Sequence, residues 1–202
     1  MKPFSESCAQ NQEPILQVLR EAFAGCKHVL EIGSGTGQHA VYFGERLPHL
    51  TWQTSDLFDN HAGILAWLEE ARLPNVRAPL LIDAKNPAWP IRGVDAVFSA
   101  NAVHIMSWPE VESLFTGIGR ALTENGRLCL YGPFNYGGKF TSASNAQFDI
   151  LLKEYNPASG VRDFEALNSL AEAQGLRLLK DFPMPANNRS LVWQRTSLPS
   201  QP

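Results

Sequence analysis

The chain has 202 residues, with 17 Lys and Arg against 20 Asp and Glu for a formal charge of -3, and 44% of it is hydrophobic. That length supports one substantial core, expected as a single domain over 1–202, and the net negative charge gives no overall footprint for a polyanion, which disfavours nucleic acid while 17 Lys and Arg still allow a local basic patch. No stretch nears the ~18 apolar residues of a membrane span, and the opening run Met1-Lys-Pro-Phe-Ser lacks a signal peptide's apolar core. Cys8, Cys26 and Cys129 are an odd number without metal or redox spacing, so a cytoplasmic protein is expected.

Over 12–24, Ile15, Leu16, Leu19, Ala22 and Phe23 share one helical face, with Pro14 tolerated in the first turn. This N-terminal helix, within 1–27, is expected to cap the ligand edge of a sheet. Val29, Leu30 and Ile32 form a short buried strand that breaks at Gly33, Gly35 and Gly37 into a turn and then a helix carrying His39. Residues 51–56 read as a second strand ending on Asp56. Ile64, Leu65, Trp67, Leu68 and Ala71 mark a helix stopped by Pro74, and 76–82 a third strand ending at Asp83-Ala84.

The fourth strand spans 94–99 and runs out through 101–107. Ser107 and Glu110 predict a capping box, followed by the stripe Val111, Leu114, Phe115, Ile118 and Leu122 with Gly126 as the stop. Residues 127–131 give a fifth strand, in which Cys129 is a small core residue. Asp163 predicts a cap for a helix over 164–174. The runs 176–182 and 190–195 are joined by Met184-Pro-Ala-Asn-Asn-Arg189, too short for a crossover helix, so they pair antiparallel.

This α/β alternation places ligands beyond the carboxyl ends of the strands. Glu31 before Gly-x-Gly-x-Gly, with Asp56 nineteen residues after Gly37, describes a nucleoside site: glycines admit the ligand to the backbone and the acid takes ribose hydroxyls. The dinucleotide pattern Gly-x-Gly-x-x-Gly would need a glycine at Gln38. The Glu31 to Gly37 run resembles class I S-adenosylmethionine (SAM) methyltransferases. The segments Cys8-Ala-Gln-Asn-Gln-Glu-Pro-Ile15, Glu31 to Ala40, Ser99-Ala-Asn-Ala-Val-His-Ile105 and Met184-Pro-Ala-Asn-Asn188 together resemble the methyltransferase-like protein 26 family, also catalogued as domain of unknown function 938. The run Asn156-Pro-Ala-Ser-Gly160 departs from that pattern, which expects a more polar or aromatic stretch.

The resemblance implies a Rossmann-like, mostly parallel seven-stranded sheet of order 3-2-1-4-5-7-6 with helices on both faces, binding SAM and releasing S-adenosylhomocysteine (SAH). Carried onto this sequence, Glu31, Gly33, Ser34, Gly35 and Gly37 form the cofactor turn and Asp56 with Leu57 takes the ribose. Asp83 accepts from the adenine amino group, Ala84 offers its N–H to the ring, and Asn101 meets the amino-acid portion. His104, just past the fourth strand, is the candidate general base. Asn11, Asn135, Tyr136, Asn187 and Asn188 are candidate substrate contacts. His28, His49 and His61 lie at element boundaries and do not cluster with the others, so no metal site is expected.

The acceptor is narrowed by missing parts. No Asn-Pro-Pro-Tyr run follows the fourth strand, no Pro-Cys pair serves cytosine C5 attack, and the paired-glutamate hairpin of arginine methyltransferases is missing, which favours a small molecule. Two rivals are a non-catalytic SAM-binding partner protein, which would keep the turn without a closed acceptor pocket, and a nicotinamide-dependent oxidoreductase, which would bind NAD(P) and ignore SAM.

Overall fold

Alternation along the strands sets the layers in the computed structural model, which describes residues 2–196. Its first half runs α1 Glu6–Ala22, β1 His28–Glu31, α2 Gln38–Arg46, β2 Thr51–Asp56, α3 Phe58–Ala71, β3 Val76–Leu81, β4 Val94–Ala100 and α4 Trp108–Ala121. The second half runs β5 Leu122–Gly132, β6 Phe134–Asn135, α5 Ala143–Tyr155, β7 Arg162–Asp163, α6 Phe164–Ala173, β8 Leu176–Met184 and β9 Asn188–Arg195. Seven strands form one sheet in the order β3-β2-β1-β4-β5-β9-β8. β1 to β5 are parallel, and β9 is antiparallel to both of its neighbours. With the two-residue pair β6 and β7 set aside as its own small sheet, this is the expected 3-2-1-4-5-7-6 order.

Val29, Trp52, Ala96, Phe98, Cys129 and Tyr131 face one layer, built on α1 and α2 through Ile15, Leu16, Leu19, Ala40 and Phe43. Their neighbours Leu30, Val97, Leu128 and Leu130 face the other, built on α4 and α6. The period of two thus buries both faces of the central strands, which explains their unbroken apolar runs. β3 lies at the sheet edge, where Pro79 can be carried without a ladder donor, and the register against β2 slips at that point.

Two boundaries, one cap and one whole helix differ from the sequence expectation. α1 starts at Glu6, where Ser5 Oγ accepts the Cys8 N–H at 3.4 Å; its first two turns are polar and escape an apolar-stripe reading. α4 ends at Ala121, because Leu122 takes an extended conformation and pairs with Val94, so Gly126 lies within β5, where the register against β4 slips, and does not stop the helix. The capping box of Ser107 and Glu110 is present, whereas Asp163 stands at the N-cap of α6 without a side-chain bond. α5 is a helix with no sequence warning: Asn145 and Asp149 are its buried residues, and Ile150, Leu151 and Tyr155 point out.

Candidate active site

The turn after β1 is stapled from below. Gly33 and Ser34 both donate their N–H to Ser55 O, Ser55 Oγ donates to Glu31 O, and Ser99 Oγ donates to Ile32 O at 2.8 Å. Glu31 is buried and accepts from Ser34 Oγ at 2.8 Å and Trp52 Nε1 at 3.0 Å. Burial pushes its carboxyl up to about 7 against the pull of those two donors. Glu31 therefore shapes the turn from beneath and does not border the cavity. Gly33 and Gly35 have φ of 72° and 57°, and a Cβ on Gly35 would meet nothing within 4 Å. Gly37 serves packing, since a Cβ there would stand 3.0 Å from Ile64 Cα of α3.

Asp56 closes the turn from the tip of β2. Its Oδ2 accepts the Gly35 N–H at 2.7 Å, and its Oδ1 accepts from Leu57 N at 2.7 Å and Asn60 Nδ2 at 2.8 Å. β3 ends alongside, with Ile82 N donating to Asp56 O, and Asp83 follows at once with Oδ1 accepting Lys85 N–H at 2.9 Å. Asp56, Leu57, Asp83 and Ala84 thus form an open rim outside the cavity wall. Leu57, Phe58 and Leu81 leave 50%, 74% and 58% of their surface bare along this rim.

Beside the turn lies a cavity of about 820 Å³, walled by the start of α1, Gly33 to Thr36, the tips of β4 and β5, α5, and the β8–β9 hairpin. A space of this size admits a drug-sized ligand. Asn101, in the left-handed region with φ of 56°, leaves β4 toward it, and His104 lines it at 4% exposure. His104 Nδ1 has no partner, while its ring meets Phe148 edge-on at 5.2 Å. A Cβ added to Gly132 would lie 3.6 Å from Asn101 Oδ1 and 3.7 Å from His104 Nδ1, so the two atoms converge on one spot. Burial, aided by the Arg162 charge, holds the His104 imidazole down to about 4 and hence neutral at pH 7.

A second buried histidine organises the opposite wall. His39 Nε2 lies 2.7 Å from Asn11 Oδ1, an acceptor, so Nε2 carries the hydrogen and Nδ1 is left to accept from Cys8 Sγ at 3.9 Å. Asn11 also lies beside the Tyr131 phenol, and both residues line the cavity. Burial holds His39 down to about 4 as well, and its ring stacks on Phe43 at 5.2 Å.

The predicted substrate residues divide. Asn11, Asn187 and Asn188 border the cavity together with Asn101 and His104. Asn187 Nδ2 is committed to Ser144 Oγ, and Asn188 Nδ2 to the carbonyls of Pro185 and Ala186, so their side chains shape the hairpin tip. Asn135 and Tyr136 lie elsewhere, contrary to expectation. Asn135 Nδ2 donates to Val161 O within the small sheet, and Tyr136 stacks on Phe164 and donates to Asp181 at 2.6 Å, because β6 turns away from the strand tips to pair with β7. Cys8, His39 and Phe148 are not among the contacts expected from the sequence, whereas Tyr131, at the tip of the fifth strand, is. The position of His39, immediately after the glycine turn on the buried side of α2, is the signal that could have found it.

Among the described residues, no helix is long and apolar enough to cross a membrane, and no three His, Cys, Asp or Glu gather to hold a metal. A family profile described as "Protein of unknown function (DUF938)" matches residues 2–195. The fold is shared with an O-methyltransferase family protein from Burkholderia thailandensis at TM-score 0.83 and 17% identity, covering 95% of this chain and 58% of that one. An O-methyltransferase family 2 protein from Planctomyces limnophilus, solved with apigenin, matches at TM-score 0.81 and 14% identity over 94% of this chain and 59% of that one. The SAM-dependent methyltransferase SibL, in its apo form, matches at 0.80 and 19% over 94% and 56%. The chain thus spans under two thirds of each neighbour's length, and at these identities the likeness is one of fold.

Proposed function

This chain belongs to the DUF938 family, and we propose that it transfers a methyl group from SAM to a small-molecule acceptor, in keeping with its resemblance to methyltransferase-like protein 26. One observation carries the reading: a glycine turn pinned to a carboxylate at the tip of the next strand adjoins a cavity that holds a buried, unpartnered imidazole. The residues fit the cofactor. Gly35 presents bare backbone to open space, and Asp56 Oδ2 keeps one lone pair for a ribose hydroxyl after accepting Gly35 N–H. Leu57 and Leu81 offer an apolar ledge for adenine beside Asp83 and Ala84, and Asn101 would meet the amino-acid portion.

Bound SAM supplies a methyl already activated on sulfonium. The chain then has to hold the acceptor in line and keep water out, which is worth up to ~7–11 kcal/mol of the barrier. His104 is neutral and lines the cavity, so its imidazole can take the acceptor's proton as the acceptor becomes acidic on methylation. Arg162 is spent on the carbonyls of Val103, Met106 and Ala158 and stays out of the reaction.

The test joins calorimetry with transfer of labelled methyl into fractionated small metabolites. SAH should bind, label should pass to a low-mass fraction, and His104→Gln should cut transfer by roughly a hundredfold or more while leaving SAH affinity within about twofold. Absence of SAH binding overturns the reading. NAD(P) binding in its place would favour the oxidoreductase, and SAH binding without transfer a non-catalytic binder.

A further inference from the structure

We propose that the acceptor is an uncharged molecule that presents a hydroxyl to His104 and Tyr131 from an apolar body lying against Phe148; this rests on the methyl-transfer reading above. None of the residues lining the cavity is Lys, Arg, Asp or Glu. Its two histidines are both neutral at pH 7. Charges close by are turned away or spent. Glu31 lies behind Ser34, and Asp56 holds Gly35 and Leu57. Asp149 pairs with Lys153 and the Val161 N–H, and Arg162 holds three backbone carbonyls. A charged acceptor would lose its water there without meeting a counter-ion on the protein wall.

Hydrogen-bond polarity narrows the reacting group. His104 is a neutral imidazole on the cavity wall and Tyr131 a phenol beside it, two groups that each can offer one donor and one acceptor. A hydroxyl satisfies both, donating to one and accepting from the other. An ammonium only donates and a carboxylate only accepts, so neither matches both groups in one pose. The rest of the wall offers Phe148, Pro14, Pro133 and Pro185, which suits an apolar, ring-bearing body. In the transfer the O–C bond forms as the C–S bond breaks, the bonding pair stays on sulfur, and the hydroxyl proton passes to the His104 imidazole and on to water. A neutral ether leaves a wall that carries no charge to retain it.

Three probes of one shape and different charge test this on the SAH-loaded protein at neutral pH: 4-hydroxybenzamide, 4-hydroxybenzoate and 4-hydroxybenzylamine, followed by ligand-observed NMR titration. The amide should bind at least roughly tenfold more tightly than either ion. Phe148→Lys, which places a cation on the rim, should reverse the order of amide and benzoate. Equal or tighter binding of an ion to the native protein, no binding of the amide up to its solubility limit, or a Phe148→Lys variant that still rejects benzoate would each overturn the inference. If SAH itself fails to bind, the methyl-transfer reading falls first, so the two failures are told apart.

Discussion

Stability against pH offers a quantitative check, because three buried groups titrate away from their ordinary values in opposing senses. His39 and His104 gain protons near 6.5 in the unfolded chain but only at about 4 in the fold, so their contribution is complete above 6.5 and is lost as pH falls toward about 4. Glu31 works the other way: its carboxyl stays protonated in the fold up to about 7, while the unfolded chain releases that proton near 4.5. Between 4.5 and 6.5 the unfolded chain therefore holds two extra histidine protons and lacks one carboxyl proton, a net excess of one. Stability should rise with pH by about 1.4 kcal/mol per unit, or about 3 kcal/mol across the window, and dip slightly from 6.5 to about 7 as Glu31 alone remains. Glu110, held below 4.5 by the Ser107 N–H, acts at lower pH. Urea unfolding followed by tryptophan fluorescence from pH 4.5 to 8 measures the slope. Glu31→Gln should roughly double it, and His39→Gln or His104→Gln should flatten it to about zero. A native slope of opposite sign, or a Glu31→Gln slope equal to the native one, would refute the assignment of these three groups.

The remaining expectations concern the turn, the core and the hairpin. Asp56→Asn keeps the shape but loses the charge and one acceptor, so SAH affinity should fall roughly ten- to a hundredfold by calorimetry, with Asn60→Ala changing it under about threefold. Gly117→Ala would drive a methyl into the ring of Trp89 and should cost about 1–3 kcal/mol in equilibrium unfolding. Asn145→Ala removes the donor to Asn187 O; amide exchange across α5 should quicken and the acceptor KM should rise, with SAH affinity unmoved.

The parallel half of the sheet was readable because its strands are buried on both faces and its turn needs glycine at fixed places. The β8–β9 hairpin was readable from the shortness of its connection. The start of α1 was not, since Ser7, Cys8 and Asn11 face the cavity and leave no apolar stripe. α5 was not, since its inward residues are Asn145 and Asp149. At the site, Asp56, Asn101 and His104 follow from strand tips alone. The link from His39 to Asn11 joins residues far apart in the chain, and only packing brings them together. Asn135 and Tyr136 misled because a strand tip was read as continuing toward the site, whereas Gly132 and Pro133 lead it into the second sheet.

α5 differs from every other helix here in what fastens it. Asn145 reaches Asn187 O and Thr141, and Asp149 reaches the Val161 N–H, while Ile150, Leu151 and Tyr155 already stand in solvent, the last at 95%. Solvent can replace each of those bonds one for one, so the apolar contact given up when the segment swings out is chiefly that of Phe148 on His104. Admission to the chamber beneath Phe148 would then be set by competition from surrounding water, at a cost well short of melting the body that carries it.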